Sequence, residues 1–120
     1  MTKQKDITIV GGGFGGVKTA LELAKDSSVN ITLISDKPYF QFYPALFATA
    51  TGHDYRQSWV PLTRIFAGRT NVKLVEDYIE TIDTSAQLLK GKKDSYHYNK
   101  AVLALGSVTT YFGIEGIDVF

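Results

Sequence analysis

D-I-T-I-V-G-G-G-F-G-G, residues Asp6 to Gly16, decides how the rest of the chain is read. Ile7, Ile9 and Val10 make a short apolar, β-rich run that stops at three glycines. A buried parallel strand entering a tight turn has this pattern. Directly afterwards Val17, Ala20, Leu21 and Ala24 fall at i, i+3, i+4 and i+7, one face of a helix. The order is therefore strand, glycine turn, helix. Within it Gly11, Gly13 and Gly16 occupy the fixed places of G-x-G-x-x-G. In that motif the first glycine permits the turn, the second lets a pyrophosphate approach the backbone, and the third lets the helix pack close to the strand. The helix start adds unpaired N–H groups and a partial positive charge. A P-loop would need Gly-Lys followed by Ser or Thr. Here Val17 follows Gly16, and Lys18 and Thr19 come one residue late.

The neighbouring stretches extend the pattern. Val29 to Ser35 is predicted as the second strand, with Ile31, Leu33 and Ile34 as its apolar part. It ends at Ser35-Asp36-Lys37-Pro38, because proline cannot continue a ladder. An acid about 20 residues past the motif accepts hydrogen bonds from ribose hydroxyls and repels a 2′-phosphate. Asp36 stands there and favours FAD or NAD over NADP. Ser35, one residue earlier, shares the candidacy, and Lys37 would tolerate a phosphate. Next, Tyr39, Phe40, Phe42, Tyr43 and Phe47 crowd residues 39–52. They read either as core plus a lid on the sheet edge or as a wall beside a flat cofactor or an apolar substrate. Pro44 is expected to open a short helix running to Ala50, closed by Gly52. His53 and Asp54 read as a surface loop, since adjacent side chains rarely face each other.

Trp59 to Phe66 is expected to be a helix with Pro61 in its first turn, packing Val60, Leu62, Ile65 and Phe66 on the sheet. Arg56, Arg64 and Arg69 read as solvated. Asn71 to Val75 is the third strand. From Asp77 the period shortens to runs at Tyr78 to Asp83, Ala86 to Lys90 and Ser95 to Tyr98. A hairpin turn at Gly91-Lys92-Lys93-Asp94 separates the last two. His97 reads as a plain strand residue. Ala101 to Leu105 is a fully apolar run ending at Gly106, expected as a fourth parallel strand whose end lies near the first glycine turn. The fold class is α/β: a Rossmann-type parallel sheet with an inserted three-stranded antiparallel meander.

Composition narrows the function. With 120 residues the chain can build one domain with a core. A net charge of +1, with no basic stripe, argues against nucleic acid as a partner. The lack of a long apolar stretch or a signal-peptide pattern gives a cytoplasmic expectation. The absence of cysteine excludes disulfides, a thiol nucleophile and thiolate metal sites within these residues. No catalytic acid, base or nucleophile and no metal site is named. A complete doubly wound domain normally has five or six strands. The chain is therefore expected to be the N-terminal part of a longer one. A missing final strand would leave a sheet edge that favours a homodimer.

Three segments carry a family resemblance. The glycine turn, Y-F-Q-F-Y-P-A-L-F-A-T-A-T-G at 39–52 and Y-H-Y-N-K-A-V-L-A-L-G-S-V-T-T-Y-F-G-I-E-G at 96–116 together resemble the N-terminal FAD-binding part of type II NADH dehydrogenases. These are NADH:quinone oxidoreductases of the pyridine nucleotide-disulfide oxidoreductase superfamily. Sulfide:quinone oxidoreductases share much of the pattern, including the Ser-Asp pair, and an NAD(P)-binding dehydrogenase domain is the remaining alternative. The resemblance implies an FAD cofactor, and NADH and a quinone as partners of the full-length protein. It also implies hydride transfer from NADH to the flavin and passage of two electrons to the quinone. The NADH-binding domain, and C-terminal segments making peripheral contact with the inner face of the cell membrane, would lie beyond Phe120. Residues 1–120 alone are then expected to be inactive.

By the same resemblance Gly11, Gly13, Phe14, Gly15 and Gly16 would line the pyrophosphate. Ser35, Asp36 and Lys37 would surround the adenosine ribose, and the backbone of Ile79 would hold adenine. Ala104, Leu105 and Gly106 would sit near the flavin-side phosphates, with Pro44 and Leu46 approaching the ribityl chain or isoalloxazine. Departures from the family pattern are Ser35 at the usual acid, Leu105 where Thr is common and Asn99 where Asp is common. The C-x-x-x-x-C pair of the superfamily's disulfide reductases is absent.

Overall fold

The computed structural model describes residues 5–108 and 110–116. The expectation of a frayed start falls mostly on residues 1–4, outside that range; Lys5 already belongs to β1 (Lys5–Val10). The glycine turn leads into α1 (Phe14–Leu23), which stops two residues short of the expected end, and then into β2 (Val29–Ser35). β5 (Val72–Glu76) and β9 (Lys100–Leu103) complete a four-stranded parallel sheet in the order β5-β2-β1-β9. The register sets Ile9 beside Leu33 and Val10 beside Ile34.

Because side chains alternate along a strand, this register loads both faces of the sheet. On one face Ile9, Ile31 and Leu33 pack with Val17 and Ala20 of α1 and with Leu62 and Phe66. On the other, Val10 and Ile34 pack with Leu89, Val75, Ile79, Tyr96 and Tyr98. The second face is covered by the antiparallel meander β6 (Ile79–Asp83), β7 (Leu88–Gly91) and β8 (Ser95–His97). Its anchor, Leu89, is 0% exposed. Asn71 ties the start of β5 to the other strands, its side-chain amide donating to the carbonyls of Ala24, Asp26 and Val29 at 3.1–3.3 Å.

The expected helix over Trp59 to Phe66 is corrected. Trp59–Pro61 is a strand, β4, pairing antiparallel with β3 (Tyr39–Gln41), and only Leu62–Ile65 is helical, α3. Proline disfavours the helical region for the residue before it, so Val60 is held extended. Pro61 itself adopts φ −55°, ψ 132° ahead of the first helical residue. The inward apolar residues are still Leu62 and Phe66. Between β3 and β4 a 3-10 turn at Tyr43–Ala45 runs into α2 (Leu46–Ala50), with proline near its start as expected, and Gly52 follows at φ +93°. Among the described residues no helix is long and apolar enough to cross a membrane.

Candidate functional site

β1 brings Val10 to the carboxyl edge of the parallel sheet, where the chain turns. Gly11 adopts φ +112°, and a Cβ there would overlap the carbonyl of Ala104. Its N–H donates to the Ile34 carbonyl at 2.8 Å, and the Ala104 N–H donates to the Val10 carbonyl at 2.8 Å. A Cβ at Gly16 would overlap the Gly11 carbonyl oxygen, so α1 lies against the strand only because that residue has no side chain. Gly12, which the motif leaves unspecified, would overlap the Ser35 side chain. Gly13 differs: no atom lies within 4 Å of the place its Cβ would take. Gly11, Gly12 and Gly16 thus serve the fold, while the space in front of Gly13 is open.

The start of α1 is equally open. Gly13 is its N-cap, no side chain caps it, and its first turn holds no acid. The first backbone bond runs from the Val17 N–H to the Gly13 carbonyl at 2.9 Å. The amides ahead of Val17 therefore have no intrahelical acceptor and sit at the positive end of the helix dipole.

Ser35 ends β2 beside this turn and is buried. Its hydroxyl donates to the Lys37 carbonyl at 2.8 Å and accepts from the Lys37 N–H at 3.2 Å. Asp36 and Lys37 are exposed. No hydrogen bond or ion pair to the Asp36 carboxylate occurs among the described residues. Ala104, half-buried, faces Gly11 and Gly15, with its Cβ 3.5 Å from the Cβ position of Gly15. Leu105 and Gly106 follow it and are exposed, Gly106 at φ +71°. Ile79 is half-buried against Val10 and Ile34. Residues predicted from four separate segments thus meet at one edge. It is the point where the strand order turns from β2 on one side of β1 to β9 on the other, the place where open α/β sheets bind ligands.

The aromatic segment splits between its two readings. Phe40 packs against the main core. Phe42 and Tyr43 are exposed beside the glycine turn, held there by Phe14. The Phe14 ring lies edge-on to Phe40 at 4.9 Å, tilted to Phe42 at 6.0 Å and stacked on Tyr43 at 6.5 Å. Pro44, exposed, and Leu46, half-buried, join the group through their neighbour Tyr43. His53 and Asp54 form a surface loop as read. The Asp54 carboxylate accepts from the Arg56 N–H at 2.9 Å and pairs with its guanidinium. His97 is an exposed strand residue. A separate polar groove of about 440 Å³ runs along the first halves of β1 and β2, lined by Asp6, Thr8, Asn30, Thr32 and His97. It lies away from the glycine turn.

One residue that supports the site carries no sequence signal. Asp77 is buried just after β5, and its N–H donates to the Ser35 carbonyl at 3.0 Å. Its carboxylate accepts from the N–H groups of Tyr78 (2.7 Å), Lys93 (3.1 Å) and Asp94 (3.2 Å) and from the Tyr96 hydroxyl (2.8 Å). Burial alone would raise its pKa, but these donors outweigh it and hold the carboxyl below the ordinary value. Tyr96 is pushed up to about 12, by burial first and then by its bond to Asp77. A Cβ at Gly91 would strike the same carboxylate. Asp77 therefore fastens the meander to the end of β2 that carries Ser35.

A family model described as pyridine nucleotide-disulphide oxidoreductase matches residues 5–120. The chain is 37% identical over 117 residues to a sulfide-quinone reductase of Aquifex aeolicus, covering 93% of this chain and 26% of that protein. It is 33% identical over 119 residues to the type II NADH:quinone oxidoreductase NdhA of Mycobacterium tuberculosis, covering 95% and 25%. The crystal structure of the Aquifex aeolicus sulfide:quinone oxidoreductase superposes with a TM-score of 0.82 at 32% identity, over 95% of this chain and 27% of that one. NDH2 from Plasmodium falciparum superposes at 0.85 with 21% identity, over 96% and 25%, which shows the shared fold. The chain spans about a quarter of the length of these relatives.

Proposed function

The chain belongs to the pyridine nucleotide-disulphide oxidoreductase family, and from that premise we propose that it forms the FAD-binding part of a flavin-dependent NADH:quinone oxidoreductase. The observation that carries this reading is the contrast within the glycine turn. Gly11 and Gly16 are packed against backbone, whereas Gly13 faces open space beside helix-start amides without intrahelical acceptors. A diphosphate fits that opening, because a side chain there would fill it and the dipole favours negative charge.

In this assignment the amides of Gly13, Phe14, Gly15 and Gly16 hold the diphosphate, with Gly11 shaping the turn. The Ser35 hydroxyl is engaged with Lys37. The exposed Asp36 carboxylate therefore takes the ribose hydroxyls, with Lys37 at its side. The backbone of Ile79 meets the adenine. Ala104, Leu105 and Gly106 border the flavin-side phosphate, and Pro44 and Leu46 border the flavin end. Bound FAD supplies the capacity to take a hydride from NADH and to pass two electrons to a quinone. The residues present bind and orient it and, through Phe40, Phe42 and Tyr43, keep water from one side. NADH and the quinone engage parts corresponding to the rest of the longer relatives.

A sulfide:quinone oxidoreductase is the second reading, favoured by the 37% identity to such an enzyme. Titration of the purified chain with FAD tests the shared core of both. The flavin absorption bands should shift on binding, and the bound flavin should stay with the protein through gel filtration. A chain that stays colourless in excess FAD overturns the assignment. Bleaching of the bound flavin by NADH but not sulfide supports the first reading, and the reverse supports the second.

A further inference from the structure

We propose that Phe14 is a positioning residue that couples occupancy of the glycine turn to the order of the aromatic segment from Phe40 to Phe47, a role that rests on the dinucleotide site described above. Phe14 belongs to both structures at once. Its backbone is the first residue of α1, directly after the open Gly13, so its amide belongs to the set facing a diphosphate. Its ring points the other way in function, touching Phe40, Phe42 and Tyr43.

Beyond this ring and Phe40 the segment is held mainly by itself and by β4. The Phe42 N–H donates to the Ser58 carbonyl at 2.6 Å, and the Thr49 and Ser58 hydroxyls lie 2.8 Å apart. Tyr43 and Phe47 are 62% and 80% exposed. The segment therefore has little buried surface to fix it, which is the condition for local opening at low free-energy cost. Phe14 is itself 49% exposed, so about half of its ring is covered, and the three aromatic residues supply that cover.

A ligand that draws the Phe14 amide towards a diphosphate fixes the Phe14 backbone and with it the χ1 origin of the ring. A fixed ring offers its face and edge to partners that otherwise share in its motion. By linkage the reverse also holds: an ordered aromatic segment favours the bound form of the turn by the same factor. The ring makes this coupling, and the amide, which any residue would supply, makes the phosphate contact. The sequence G-G-G-F-G-G thus combines a ligand contact and a mechanical link at one position.

The test uses ADP, which carries the diphosphate and adenosine but no flavin ring that could touch the segment directly. Amide hydrogen exchange of the 120-residue chain is followed with and without saturating ADP. In the natural sequence the amides of Phe42, Ala45 and Thr51 should slow by about fivefold or more, the lower end of typical coupling between sites. Phe14→Ala should bind ADP within a few-fold of the natural affinity yet lose the slowing, while Phe14→Leu keeps part of it. Full protection in Phe14→Ala, or ADP binding without protection in the natural chain, overturns the coupling and leaves the site assignment standing. Absence of ADP and FAD binding overturns both. Circular dichroism and the melting midpoint establish that each variant is folded.

Discussion

The Tyr96 hydroxyl donates a 2.8 Å hydrogen bond to the Asp77 carboxylate, joining β8 to the residue that follows β5. The pair is most stable as neutral tyrosine and charged aspartate. Asp77 has its folded pKa lowered, so its contribution is present above the ordinary carboxylate pKa and is lost as pH falls through the folded value. Tyr96 has its folded pKa raised to about 12. Its contribution is present below the ordinary tyrosine pKa of about 10 and is lost as pH rises through the folded value. Melting midpoints should therefore be level through neutral pH and fall at both ends. Phe at position 96 removes this residue's part of the alkaline fall, and an unchanged alkaline limb in Tyr96→Phe would show that the phenol does not take part.

Asp77→Asn keeps the shape of the side chain but replaces one acceptor oxygen with a donor. Facing four donors, an amide cannot accept them all. The variant should melt below both the natural chain and Asp83→Asn, whose exposed carboxylate accepts from the Ala86 N–H alone at 2.8 Å. Equal midpoints for the two variants would remove Asp77 from its structural role.

The glycines should separate folding from binding. Gly13→Ala meets no atom within 4 Å and should change stability by no more than about 0.5 kcal/mol. It should nevertheless weaken FAD binding by about tenfold or more, or about 1.4 kcal/mol, because the methyl group occupies the diphosphate's approach. Gly16→Ala collides with the Gly11 carbonyl and should cost about 1–3 kcal/mol or more of stability. Denaturant melts and FAD titrations on both variants check this; equal FAD affinity in Gly13→Ala and the natural chain would move the ligand elsewhere.

Ser35 and Asp36 should divide in the same way. Ser35→Ala loses both bonds to Lys37 and should lower stability by about 1 kcal/mol, with a smaller effect on FAD. Asp36→Ala should leave the melt unchanged and weaken FAD binding about tenfold or more, since hydrogen bonds to a charged group contribute about 1.5–3 kcal/mol. A reversal of the two results would return the ribose contact to Ser35.

Leu89→Ala probes how the meander is held. Leu89 is fully buried against Val10 and Ile34. Its truncation should cost about 2–5 kcal/mol in a denaturant melt. A cost below about 1 kcal/mol, that of an ordinary surface change, would mean that the meander does not rely on this contact.

The sequence by itself determined whatever depends on neighbours along the chain. Ile7, Ile9 and Val10 before the glycines and Val17, Ala20 and Leu21 after them fix strand, turn and helix, because backbone sterics and side-chain periodicity act over a few residues. The same local logic gave β2 its limits and placed the meander's strands and hairpin close to where they stand. It failed at Trp59 to Pro61, whose apolar residues suit a helix until the constraint of Pro61 on Val60 and the pairing with Tyr39 to Gln41 are counted. The tertiary structure alone decided which groups are in use. Gly12 is packed because Ser35 comes from another strand, Ser35 is engaged and Asp36 is not, and Asp77 meets donors 16 to 19 residues further on. The Phe14 ring finds partners 26 to 29 residues away. Such contacts depend on how separate segments are brought together in space, which requires the whole sheet to be assembled.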